Sequence, residues 1–196
     1  MSSFSASPKY TWYVAGRNGG VWKTENNGTS FFPVFDSTGV SSIGAIAISS
    51  SNPEIVWVGS GEAYNARSSY AGNGVYKSED GGLSWQFMGL EDSHHISTMI
   101  IHPENPDVVW VAAMGHLFTP NEMRGIFKTA DGGKSWKKVL FIDENTGVID
   151  LIINPQTRIN YLPLLMKNTV IHGTLRLVEK IVGFLKVKMA VITGRK

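Results

Sequence analysis

The chain has 196 residues, enough for one substantial core or two small ones. Charged residues make up only 17%, beside 21 Gly, six Trp and six Tyr, a mix that suits many short strands joined by tight turns. The absence of cysteine excludes disulfides and Cys-based metal sites, and no run of about 18 apolar residues is present to span a membrane as a helix.

The opening MSSFSASPKY lacks the basic patch and apolar run of a secretory signal. Tyr10 to Gly16 reads as a strand, and GGVWKTENNGTSF follows from Gly19. That segment recurs as NGVYKSEDGGLSW from Asn73 and as RGIFKTADGGKSW from Arg124. Val21 to Val75 is 54 positions and Val75 to Ile126 is 51. Between them a second element repeats: IGAIAISSSNPEIVWVGSG from Ile43, ISTMIIHPENPDVVWVAAMG from Ile96 and VIDLIINPQTRINY from Val148. Each cycle therefore reads as strand, Asn-Pro turn, strand, long loop, strand, Asp-Gly-Gly turn, strand. Short β-branched and aromatic runs such as Val56-Trp57-Val58 carry the strands. Four strands in about fifty residues is the size of a propeller blade. The expected fold is all-β, a partial β-propeller of about three blades near 8–40, 41–92 and 93–145, with the next from 146. The first blade is expected to lack a strand, because Tyr10 to Gly16 already occupies the second-strand place. A closed propeller needs at least four blades, so open edges and association are expected of the isolated chain.

In the hairpin repeat an Asp at the turn can accept hydrogen bonds from N–H groups just ahead, and the Gly residues supply positive φ. Ser78, Asp80, Gly82 and Trp85, and again Thr129, Asp131, Gly133 and Trp136, are read as structural, the Trp rings anchoring each hairpin. In the first copy Asn26 replaces the Asp and Phe31 the Trp, which predicts a looser hairpin. One carboxylate per turn falls short of the six to eight oxygens that calcium takes, so no metal and no cofactor are expected.

Successive turns of a meander alternate between its two ends. The Asp-Gly-Gly and Asn-Pro turns share one face, and the long loops and inter-blade links share the other. That second face collects the reactive side chains, where binding residues usually sit. The loop GEAYNARSSYAGN carries Glu62, Tyr64, Asn65, Arg67 and Tyr70, and GHLFTPNEMR carries His116, Phe118, Glu122 and Arg124. The links carry Asp92, His94, His95, Asp143 and Glu144. Glu62, Tyr64, Arg67, Tyr70, His94, His95, His116 and Arg124 are the candidate ligand residues, for a glycan or a polypeptide. Glu62 and Asp143 are the candidate carboxylate pair for glycoside hydrolysis. A metal on His94-His95 is disfavoured because neighbours on a strand point to opposite sides.

GGVWKT, NPEIVWVGSGE, NGVYKSEDGG, IHPENPDVVWVA and RGIFKTADGG, within residues 8 to 161, resemble the Asp-box (BNR-repeat) propellers. Sialidases, sortilin-type propellers, xyloglucan-active glycosidases and long exported bacterial proteins share that repeat. The resemblance implies a secreted or periplasmic location, and a fragment of a longer protein that supplies the rest of the propeller. It also implies a binding module or, as the alternative, a glycoside hydrolase. The xyloglucan-active relatives carry an acidic residue just before the Gly-Gly pair, where this chain has Arg17-Asn18, and three loop arginines with a Tyr nucleophile, as in sialidases, are not found. Both departures weigh toward a non-catalytic role, with glycoside hydrolysis kept as the alternative.

Residues 1–161 hold eleven Lys/Arg and fifteen Asp/Glu, whereas 162–196 hold seven and one and contain no Trp or Tyr. Taken literally, Leu175 to Met189 reads as a basic amphipathic helix suited to a membrane surface. Read one base out of frame, with wobble bases chosen, the codons from Ile181 onward can encode SGIFKSEDGGNNWKK, another copy of the hairpin repeat. A frameshift just after Tyr161 is therefore expected, and neither nucleic acid nor membrane insertion is expected from the tail's basic character.

Overall fold

A computed structural model describes residues 2–5, 10–63, 69–153, 161–167 and 176–177, with backbone alone at 2–5, 153, 161–167 and 176–177. Its strands form four separate antiparallel sheets in chain order. The first holds β1 (Ser2–Ser5), β2 (Trp12–Ala15), β3 (Val21–Thr24) and β4 (Phe32–Pro33). The second holds β5 (Ile43–Ile48), β6 (Val56–Ser60), β7 (Val75–Ser78) and β8 (Gln86–Phe87). The third holds β9 (Ile96–Ile101), β10 (Val109–Ala113), β11 (Gly125–Thr129) and β12 (Lys137–Leu140). The fourth holds β13 (Thr146–Ile153), β14 (Tyr161–Lys167) and β15 (Arg176–Leu177). Within each sheet, neighbours in sequence are neighbours in space.

The first sheet corrects an expectation. Ser2–Ser5 pairs with Trp12–Ala15, so this sheet has its full four strands and starts upstream of residue 8. Of the tail, Tyr161–Lys167 and Arg176–Leu177 are strands, which removes the start of the proposed 175–189 helix. The rest of that helix and the shifted-frame hairpin lie outside the described residues.

The alternation in each second strand explains how the sheets stack. Val56 and Val58 face the first sheet, packing with Tyr13, Val21 and Phe35. Trp57, between them, faces the third sheet with Val109, Val111 and Phe127. One sheet further on, Val109 and Val111 point back, while Trp110 packs with Val148 and Leu151 of β13. A strand buried on both faces needs an apolar residue at every position, hence Val-Trp-Val. The first strands β1, β5, β9 and β13 touch in succession, so they form the common inner side. Close approach there excludes side chains: a Cβ on Gly44 would lie 2.0 Å from the Ile96 carbonyl oxygen.

The hairpins lock neighbouring sheets. Trp85 Nε1–H donates to the Val34 carbonyl at 2.6 Å, and its ring meets Phe35 edge-on at 4.9 Å. Trp136 repeats this one sheet later, donating to Met88 O at 2.6 Å and meeting Trp57 at 6.1 Å. Each ring thus reaches past its own sheet to the residue that leaves the preceding one. Inside the turns, Ser84 N–H donates to Asp80 Oδ1 and Ser135 N–H to Asp131 Oδ1, at 2.9 and 3.0 Å. Ser78 and Thr129 hydroxyls accept from the Gly82 and Gly133 amides at 2.7 and 2.9 Å. The Ser84 and Ser135 hydroxyls and amides hold both carboxyls down at about 2.

The first hairpin is not looser in its bonds. Ser30 N–H donates to Asn26 Oδ1 and Gly28 N–H to Thr24 Oγ1, each at 2.9 Å. An amide oxygen accepts as a carboxylate oxygen does, so the turn survives the exchange. The ring anchor differs, because Phe31 is exposed.

Candidate functional site

Hydrogen bonds confirm which connections share a face. Gly81 N–H donates to Glu54 O and Gly132 N–H to Asp107 O, joining each Asp-Gly-Gly turn to the Asn-Pro turn of its own sheet. At the other end the loops alternate with the links. Gly61 N–H donates to Ser42 O, Gly72 N–H to His94 O, Met114 N–H to His95 O and Asn121 N–H to Glu144 O. The order across this face is therefore the β4–β5 link, the β6–β7 loop, the β8–β9 link, the β10–β11 loop and the β12–β13 link.

Among the described residues of these connections, the β8–β9 link alone holds non-glycine residues at positive φ. Leu90 has φ 60°, and His94 has φ 52° with ψ −44°, outside the usual left-handed well. A non-glycine residue held there costs about 1–3 kcal/mol. The contortion sends adjacent rings to opposite sides. His95 turns inward, 3% exposed, with Nδ1 2.8 Å from the Glu62 carbonyl. Burial pushes its pKa down to about 4, so the neutral ring donates Nδ1–H to that carbonyl. His94 turns outward and stacks on His116, ring centroids 3.7 Å apart.

His116 arrives from the β10–β11 loop. Its Nε2 lies 2.8 Å from Asp92 Oδ1, and its Nδ1 3.0 Å from Thr119 Oγ1. Asp92 also faces His94, with Nε2 3.7 Å from the same Oδ1. Asn121 fixes the carboxylate from behind: its Nδ2 donates to Asp92 O at 3.0 Å and to Oδ2 at 3.2 Å. The hydrogen bond from His116 is the largest influence holding the Asp92 carboxyl below its ordinary value. Burial, then the neighbouring His116, holds His94 below the ordinary imidazole value. Gly115, at φ +71°, makes room for this arrangement, since a Cβ there would lie 2.2 Å from Asn121 Oδ1. Asp92, His94 and His116 together offer three donor atoms within 4.8 Å of one another. His94 and His95 do diverge, and His116 of the facing loop is the partner that His94 finds instead.

Two expected ligand residues have other tasks. Arg124 is 1% exposed, and its guanidinium donates to the carbonyls of Met114, His116 and Thr119, tying the β10–β11 loop to itself. His95, just described, is the other. Glu62 is 4% exposed, and Asp143 Oδ1 accepts from the Asn145 amide in the β12–β13 link. The β8–β9 link and the β10–β11 loop stand between those two carboxylates. Tyr64, Asn65 and Arg67 lie outside the described residues.

Tyr70 does stand on the surface, 54% exposed. Its carbonyl is clamped by the Glu62 amide at 3.1 Å and the Ser42 hydroxyl at 2.9 Å. The residue borders a cleft of about 290 Å³ lined also by Val40, Ser41, Ser42, Gly72 and Asn73. Because Gly72 bonds to His94, the cleft and the His-Asp cluster are adjacent on the same face.

No family model matches the chain. Among curated proteins it is similar to vacuolar protein sorting/targeting protein 10 of Kluyveromyces lactis, 33% identical over 76 residues. That match covers 39% of this chain and 5% of the relative. Among solved structures it is similar to a GH74 enzyme of Niastella koreensis, with TM-score 0.62, 16% identity, and 88% of this chain against 27% of that one. A GH74 xyloglucanase of Xanthomonas campestris matches with TM-score 0.54 and 13% identity, covering 92% of this chain and 30% of the other. YCF48 bound to D1 peptide matches with TM-score 0.51 and 12% identity, covering 91% and 54%. The GH74 and YCF48 structures are β-propellers. This chain is part of a β-propeller. Its sheets are blades, and it spans only a fraction of each relative's length.

Proposed function

We propose that the chain is a non-catalytic binding module, an Asp-box propeller segment of a longer exported protein, that takes a glycan or polypeptide on its loop face. The observation that carries this reading is the Tyr70 cleft. A backbone-clamped, exposed aromatic ring borders a recess that Ser41 and Asn73 also line. A flat ring stacks on a sugar or a peptide side chain, while fixed polar groups set its register. The repeated Asp-Gly-Gly hairpin bonds support the Asp-box assignment. The likeness to a vacuolar sorting protein supports an exported parent.

Calorimetric titration with xyloglucan oligosaccharides and with a peptide panel tests the reading. Saturable binding without turnover is expected, and Tyr70→Ala should weaken it about tenfold, the loss of one stacked ring. Release of reducing sugar that stops on Glu62→Gln or Asp143→Asn would replace this reading with a glycoside hydrolase.

A further inference from the structure

Beyond the Tyr70 cleft, the loop face holds a donor set that the binding reading does not use. We infer that Asp92, His94 and His116 bind a divalent transition-metal ion of the zinc class, bridging the β8–β9 link and the β10–β11 loop. Two imidazole nitrogens and one carboxylate oxygen match the ligands that zinc takes, and the imidazoles disfavour calcium and magnesium. Zinc lies about 2.0–2.2 Å from such donors, so tetrahedral ligands stand roughly 3.4 Å apart. The observed separations from Asp92 Oδ1, 2.8 Å to His116 Nε2 and 3.7 Å to His94 Nε2, bracket that value.

The outer partners are already in place. The Thr119 hydroxyl faces His116 Nδ1 at 3.0 Å, so the ring can donate Nδ1–H to it and present Nε2 to a metal. Asn121 holds Asp92 Oδ2, which leaves Oδ1 toward both imidazoles. An ion takes the place of the proton that His116 and Asp92 share. The His94 ring must swing out of its stack on His116 before the two lone pairs converge, and its side chain, 37% exposed, has solvent on one side to do so. Three protein donors leave a fourth position for water or for an oxygen of a bound molecule. The site therefore lies where a ligand in the adjacent cleft could reach it, although the metal claim does not depend on that ligand.

Calorimetric titration of chelator-treated protein with zinc chloride is the test, with cobalt(II) as a spectroscopic substitute. One ion per chain at micromolar or lower Kd is expected, with the visible bands of tetrahedral cobalt. His94→Ala, which leaves the Asp92, Thr119 and Asn121 hydrogen bonds in place, and Asp92→Asn should each weaken binding at least tenfold. Thr119→Ala should weaken it severalfold, as loss of an outer partner does. His102→Ala, on the opposite face of the blade, should leave it unchanged. No saturable binding, or binding that survives His94→Ala and Asp92→Asn, overturns the assignment.

Discussion

Trp136→Ala should cost about 3 kcal/mol of folding stability, at the low end for a large aromatic because the ring is half-buried. The ring packs on Trp57 of the preceding blade, and its indole N–H satisfies the Met88 carbonyl. Truncation therefore opens a void between blades and orphans a backbone acceptor at once. Trp85→Ala should cost a similar amount through Phe35 and Val34. Phe31→Ala, at the same place in the first hairpin, should cost well under about 1 kcal/mol, because that ring is exposed. Urea denaturation of the three variants separates two roles for the repeat. If Phe31→Ala is as damaging as the Trp variants, the aromatic serves its own hairpin and not the joint between blades.

Arg124→Met should be comparably severe, about 3 kcal/mol or more, since it leaves three carbonyls without their donor inside a loop. Arg124→Lys should not restore stability, because a single ammonium cannot span the acceptors that the planar fork reaches. A distinct local sign is expected as well. His116 follows the segment that Arg124 ties down, so its contact with Asp92 should be lost, visible as a change in its imidazole resonances. A lysine variant with wild-type stability would mean that the guanidinium is dispensable.

Much of the fold was legible because it obeys local rules. Val-Trp-Val reports a strand buried on both faces, and Asp-Gly-Gly reports a turn that needs both an acceptor and positive φ. The meander then assigns loops to faces with no further information. What escaped was set by surroundings and not by residue type. Ser2–Ser5 carries a single apolar residue, Phe4, too little to signal a strand, yet it completes the first sheet by pairing with β2. Asn26 looked like a defect, but its amide oxygen accepts the same bond as an aspartate.

The site residues divide the same way. Tyr70 reaches the surface as expected of an aromatic in a loop. Arg124 and His95 look like ligand residues in sequence, yet both are buried against backbone carbonyls, and nothing in their neighbours signals it. Asp92 and His116 lie 24 positions apart and meet only because stacked blades bring link and loop side by side. The available hint was an Asp-x-His in one connection facing a Gly-His in the next.

The Trp repeated in the second and third hairpins fastens one blade to the preceding one, and so aligns the loops on a single face. Hydrogen exchange of the six tryptophan indole N–H groups, followed by nitrogen-resolved NMR on the intact chain, tests it most directly. Trp85 and Trp136 should be strongly protected by their bonds to Val34 and Met88, while exposed Trp22, bonded only to nearby Gly19, should exchange rapidly. Exchange at Trp85 and Trp136 as fast as at Trp22 would contradict the account.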